Sequence, residues 1–156
     1  MTAPGGGVIA QKQSGGTSRS VCRVSANGGR SLPLILAREL AANLATPMFL
    51  IDATGTLVFY NEAAELMLGR TFAEMGEITA NEFGSMLDLA DPDGTPVRRR
   101  DSPAGIAFLQ RVPSHKRLMA TTLDGNRDAF EVTAYPLFGS TEDMHGVLTV
   151  FWRASQ

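Results

Sequence analysis

FLIDATGTLVFYNEAAELML, Phe49–Leu68, reads as strand, turn, strand and helix in one short stretch. Met48–Asp52 and Thr56–Tyr60 are apolar and rich in strand formers. Asp52-Ala53-Thr54-Gly55 between them is turn chemistry, because Asp bonds to backbone two residues on and Gly accepts positive φ. The two strands form a β-hairpin. Asn61 then opens a helix through Leu68, which Gly69 ends. An amide at that junction suits a helix cap and could also be a binding group.

Upstream, Ser31 reads as a cap, Pro33 lies in the first turn, and Leu34, Ile35, Leu36, Leu40, Ala41 and Leu44 form an apolar stripe. Pro47 stops this helix near Ala45. So short a helix must pack on a sheet, a twin helix or both. Downstream, Phe72–Met75 and 81–89 read as short helices. Asp91-Pro92-Asp93-Gly94 is a turn, and Arg98-Arg99-Arg100 a small basic patch. Asp101-Ser102-Pro103 starts a helix to about Gln110, ended by Pro113. The last third alternates as strands. Lys116–Thr122 and Ala129–Phe138 are joined at Leu123-Asp124-Gly125-Asn126, and Gly146–Arg153 follows. That last run, GVLTVFWR, is near-continuously apolar and should be central. Phe151 and Trp152 must face opposite sides of the sheet, one toward the core and one toward the N-terminal helix or a partner protomer. Strands with helices inserted after the second make an α+β domain.

The 156 residues suffice for one domain with a core. Three parts are expected: a flexible Gly/Ser-rich tail at 1–30 with a short strand at 20–24, a cap or dimerisation helix at 31–46, and the domain proper at 47–154. The net charge of −2 divides unevenly, with four basic residues and no acid in 1–30, against ten basic and sixteen acidic beyond. An acidic body argues against nucleic acid as a partner. Cys22 is the single cysteine, so no internal disulfide forms. No stretch has the length of a membrane span, and the N-terminus lacks the pattern of a secretory signal, so the expected location is the cytoplasm.

The stretch ATPMFLIDATGTLVFYNEAAELMLG, residues 45–69, resembles the PAS domain family. There an apolar strand ends in Asp, the turn carries Gly, and a second strand ends in Asn before an Ala-containing helix and a Gly. Asp52, Gly55, Asn61, Ala63 and Gly69 fit that pattern, and Pro136, Leu137 and Gly146 fit the family's last hairpin. The resemblance covers about 33–154. It implies a five-stranded antiparallel sheet in the order 2-1-5-4-3, with helices on one face enclosing a ligand cavity. It also implies a helix on the other face that mediates homodimers, with Leu36, Leu40, Leu44 and Trp152 as interface candidates. The implied role is a sensor in signal transduction, including regulation of transcription, with a partner protein and no enzymatic activity of its own.

Residue types test which group such a cavity holds. Flavin adduct chemistry is excluded, because the family's light sensors need a cysteine within the domain and none follows Cys22. Haem is the weakest alternative: residues 103–111, PAGIAFLQR, contain no His, and His115 lies beyond Pro113 beside Lys116 and Arg117. His115 and His145, with no Cys nearby, make no metal site. No P-loop and no nucleophile elbow occurs. The expected occupant is thus a small apolar ligand, lined by Met67, Phe72, Met75, Phe83, Met86, Phe108 and Leu109, with Tyr135, Thr133 and Thr149 as polar orienting groups. Two alternatives stand beside it. One is a protein-binding domain with a filled core, which packing favours because cavities destabilise. The other is a small α+β enzyme using the apolar pocket, which needs an acid or base inside it.

Overall fold

The computed structural model describes residues 31–156. The expectations for residues 1–30, including the flexible tail, the strand at 20–24 and Cys22, lie outside the described residues. Helix α1 (Leu32–Ala42) precedes the hairpin β1 (Met48–Asp52) and β2 (Thr56–Tyr60). Helices α2 (Glu62–Leu68) and α3 (Phe72–Met75), strand β3 (Ile78–Thr79) and helix α4 (Ala80–Leu87) follow. A 3-10 turn (Arg99–Asp101) leads into α5 (Pro103–Gln110), and β4 (Ser114–Thr121), β5 (Arg127–Phe138) and β6 (Met144–Arg153) complete the chain. The sheet is antiparallel with the order β3-β2-β1-β6-β5-β4. It is the expected order with one addition: the sheet has six strands, because β3 pairs through Thr56–Thr79 and Leu57–Ile78 at the β2 edge. Two residues carry no period, so only the tertiary pairing makes this strand visible. β6 lies between β1 and β5, as its apolar run requires.

The sheet separates two layers. On the inner face, Leu57, Tyr60, Phe130 and Phe151 pack with Leu68 of α2 and with Phe83 and Leu87 of α4. On the outer face, Leu34 and Ala37 of α1 pack on Leu50 and Val58, with Leu137 and Leu148 alongside. Phe151 is buried in the inner core, whereas Trp152 is 42% exposed on the outer face. The alternation expected of these neighbours therefore holds.

Asn61 joins three elements at one side chain. Its Oδ1 accepts from the N–H of Ala64, which caps α2, and from the N–H of Met48 at the start of β1, both at 3.0 Å. Its Nδ2 donates to the carbonyls of Ala41 at 2.8 Å, Thr46 at 2.8 Å and, more weakly, Leu44 at 3.2 Å. The side chain is 1% exposed, so these backbone groups have little water to turn to. The same pull explains why α1 stops at Ala42 rather than near Ala45: the carbonyls of its last turn are directed to Asn61, and Asn43 Nδ2 donates to Glu39 O. Ser31 occupies the N-cap position of α1 without a side-chain cap bond. Its carbonyl accepts from Leu34 and Ile35 instead.

Local chemistry sets the remaining junctions. Asp52 Oδ1 accepts from Thr54 N and Thr56 N and closes the first hairpin. Thr71 and Glu74 form a capping box on α3, and Thr79 and Glu82 form another on α4. The Thr79 box starts α4 at Ala80 rather than Asn81, and Asp88 in the left-handed conformation ends it at Leu87. Gly69 ends α2 at φ +80°, with Asp124 of the β4–β5 turn directly above it and Leu123 N donating to Leu68 O at 2.7 Å. A Cβ at Gly69 would approach Asp124 Cβ to 2.7 Å, so both its backbone angle and its neighbour require glycine.

Two outcomes follow from these contacts. Asn61→Ala removes the cap and strands buried donors and acceptors. We expect a loss of about 3 kcal/mol in urea unfolding, roughly 1 from the cap and the rest from unsatisfied groups. A loss of only about 1 kcal/mol would reduce the residue to a simple cap. Tyr60 donates to Arg70 O at 2.9 Å, and burial, reinforced by the Glu65 carboxylate, pushes its hydroxyl up to about 12. The folded chain therefore keeps a proton that the unfolded chain releases near pH 10. Stability from this group is intact below about pH 10 and falls as pH rises toward 12. Tyr60→Phe should flatten that alkaline decline in denaturation midpoints. An unchanged slope would assign the decline to other groups.

Candidate functional site

The inner layer leaves two apolar hollows of about 70 Å³ each. Both are walled by Phe49 of β1, Phe83 and Leu87 of α4, Leu89, Ser102 and Ala104. The first extends across the sheet to Leu118, Phe130, Val132 and Phe151. The second opens toward Gly55, Gly84, Gly105, Phe108 and the backbone turn carrying Arg99 and Arg100. Phe49 and Phe83 meet edge to face with centroids 5.3 Å apart. Ser102 is committed: its Oγ donates to Arg99 O at 2.6 Å and accepts from Gly105 N at 3.2 Å, capping α5. Apart from Arg99 and Arg100 at the second hollow, the described lining holds no charged side chain, and no carboxylate or imidazole.

The expected lining is partly corrected. Phe83 lines both hollows, and Phe108 and Leu109 line the second, with Leu109 60% exposed at its rim. No methionine lines either hollow. Met67 and Met75 pack against the inner core as filling, and Phe72 sits edge-on to Phe59 and Tyr60. Met86 is exposed on the solvent side of α4, because Phe83 and Leu87 take its inner positions. Tyr135 is exposed on the outer face, since it alternates with buried Ala134. Thr133 shares that face, where its hydroxyl lies 2.7 Å from His115 Nδ1. Thr149 is fully buried on the inner face, paired with Phe49, and its Oγ1 has no hydrogen-bond partner. It stands behind the walls of the hollows rather than in them.

The residues missed are mainly strand residues: Phe49, Leu118, Phe130, Val132 and Phe151. Their alternation with outer-face neighbours was the available signal. It is weak where both faces of a strand are apolar, as along β6.

His115 belongs to the outer face. Its Nε2 lies 3.1 Å from the Glu131 carboxylate, and its ring stacks on Trp152 at 6.3 Å between centroids. It is therefore turned away from the hollows. No cluster of three metal-ligating side chains occurs among the described residues, and no helix among them is long and apolar enough to cross a membrane.

The second surface is α1. Leu34, Ala37 and Ala41 are buried against the sheet. Leu32, Leu36 and Leu40, spaced one helical turn apart, are exposed, as are Ile35 and Leu44. The helix is apolar on both faces. Arg38 lies over the Phe59 ring at 4.9 Å and seals one flank.

A PAS-domain family model matches residues 36–109. No curated protein matches the chain by sequence. Among solved structures, the chain is similar to a PAS domain from Colwellia psychrerythraea, with 16% identity, a TM-score of 0.57, and coverage of 78% of this chain and 96% of that one. It is similar also to the PAS domain of Bordetella pertussis BvgS, with 20% identity, a TM-score of 0.57, and coverage of 79% and 87%. A third likeness is to the light-state dimer of the fungal blue-light photoreceptor Vivid, with 15% identity, a TM-score of 0.55, and coverage of 71% and 79%. These structural likenesses describe the fold; with the family match and the Asp52, Gly55 and Asn61 junctions, they identify the chain as a member of the PAS domain family.

Proposed function

We propose that this PAS domain is a signalling module whose input is a small apolar ligand in the inner hollows and whose output face is α1, held against a second copy of the chain. The observation that carries this reading is the double-faced helix. Its inner row closes the sheet, and its outer row of Leu32, Leu36 and Leu40 is left in water. A helix that is apolar all round is normally buried all round. Its one charged pair, Arg38 and Glu39, gives it no strong field of either sign. A self-complementary apolar row suits a two-fold pair, in which each helix meets its own copy. The light-state dimer of Vivid, on the same fold, supports association as a means of output. Leu44 and Trp152, also exposed, are further interface candidates.

Asn61 supplies a physical link between the two surfaces. The amide binds the end of α1, the start of β1 and the start of α2, and Phe49 of β1 walls both hollows. A ligand that shifts β1 or α4 would bias the seat of α1, provided it binds two arrangements with different affinity. Regulation of transcription through a partner protein is the expected setting. The hollows contain no acid or base, which argues against the enzyme alternative. Their size favours one second reading. Two spaces of about 70 Å³ fall well short of the usual ligand pocket, so a protein-binding domain with a nearly filled core needs no ligand at all.

Light scattering after size exclusion should give a dimer for the wild type and a monomer for L36D/L40D with unchanged circular dichroism. A wild-type monomer at high micromolar concentration would remove the dimer reading. Native mass spectrometry, with an absorption spectrum, separates the two readings of the core. A small added mass on the purified protein supports the ligand, and a bare mass supports the filled core. A Soret or flavin band would identify a cofactor instead.

A further inference from the structure

The two hollows differ at their mouths. No charged residue lines the first. The second is bordered by Arg99 and Arg100. Among the described residues neither arginine has an ion pair or a side-chain hydrogen bond. Four other basic groups on the domain are engaged in ion pairs: Lys116 with Asp91, Arg117 with Glu131, Arg127 with Asp88 and Arg153 with Asp128. Neither neighbouring acid is paired with them among the described residues: Asp101 makes no ion pair, and the Glu82 carboxylate is bonded to Thr79 in its capping box.

The backbone of the turn that carries the two arginines is held in place. Arg99 O accepts from Ser102 N at 3.1 Å and from Ser102 Oγ at 2.6 Å. The turn presses on α5 so closely that a Cβ at Gly105 would fall 2.0 Å from Arg99 O and 2.8 Å from Arg100 Cα. The Arg99 stem runs across Gly84 of α4, where a Cβ would meet its Cγ at 3.7 Å. Gly105 thus lets the basic turn sit down on the hollow, while at Gly84 the Arg99 stem lies in ordinary contact range. Behind it the walls are aromatic and aliphatic: Phe49, Phe83, Phe108 and Leu87.

From this arrangement we propose that the second hollow takes a small apolar carboxylic acid, its carboxylate at Arg99 and Arg100 and its hydrocarbon tail toward Phe49, Phe83 and Phe108. The inference rests on the ligand-binding reading above and names the class of ligand. A guanidinium matches a carboxylate in a two-point geometry and is weakly hydrated, so it recognises the anion at modest desolvation cost. The lining offers nothing to a polar tail, which excludes sugars and nucleosides. Both arginines are exposed, so charge should tune selectivity rather than dominate affinity.

Amide NMR titrations with octanoate, octanol and octylamine test this on the whole chain. Octanoate should perturb Gly84, Gly105 and Phe108 and bind about tenfold more tightly than octanol, with octylamine weaker still. R99Q/R100Q should bring octanoate down to the octanol level and leave octanol unchanged, which also shows that the variant is folded. Equal binding of acid and alcohol, or an octanoate affinity that survives R99Q/R100Q, overturns the proposal while keeping an apolar ligand. Binding of none of the three removes both.

Discussion

One primary amide organises this domain. Asn61 is buried, and its two ends are complementary to their surroundings: an oxygen shared by two N–H groups and a nitrogen shared by three carbonyls. Those groups come from a helix on the outer face, the loop after it, the first strand and a helix on the inner face. Each has lost its regular partner at the end of an element, and each would be costly to bury alone. No backbone group could serve them together, because the sheet lies between the layers. The side chain does so at the place where β2 has just ended.

The value of that residue was only half legible in the sequence. The cap on α2 is a local relation, three residues long, and reads directly from an Asn before an apolar helix. The bonds to Ala41, Thr46 and Met48 span longer loops and have no periodic trace. The same division runs through the fold. Turn and cap residues placed α2, α5 and both hairpins, because each end carries its own side-chain signal. The short strand β3 had none. Ser31 fills the expected cap position, yet its hydroxyl is unbonded, since a position can be right while the rotamer is set by packing.

The interior was harder to foresee for a related reason. Helical periodicity says that one side of α4 faces inward; it does not choose between Phe83 and Met86 when both are apolar. Packing chose the ring, which reaches Phe49, and left the thioether outside. On the strands, the inner residues of β5 and β6 could be assigned only relative to one another. Trp152 and Phe151 were known to part company, but which entered the core depended on the register with β5, fixed by the pairs Glu131–Trp152 and Val132–Phe151. The wall of the candidate site is therefore a property of the pairing, while the frame around it is a property of the punctuation.

The sheet's two margins have a consequence for how copies of this chain can meet. On one margin, β3 is two residues long, too brief to template another strand. On the other, β4 carries Lys116 and Arg117 in succession, and bringing a second such strand alongside would crowd like charges. Both borders discourage growth by strand addition, the route that leads to open-ended fibres. The exposed apolar row lies instead on a helix on the flat of the sheet, where the proposed contact with a copy would be self-limiting. If copies pair through α1 as proposed, they would associate and separate without the hazard that accompanies exposed β-structure.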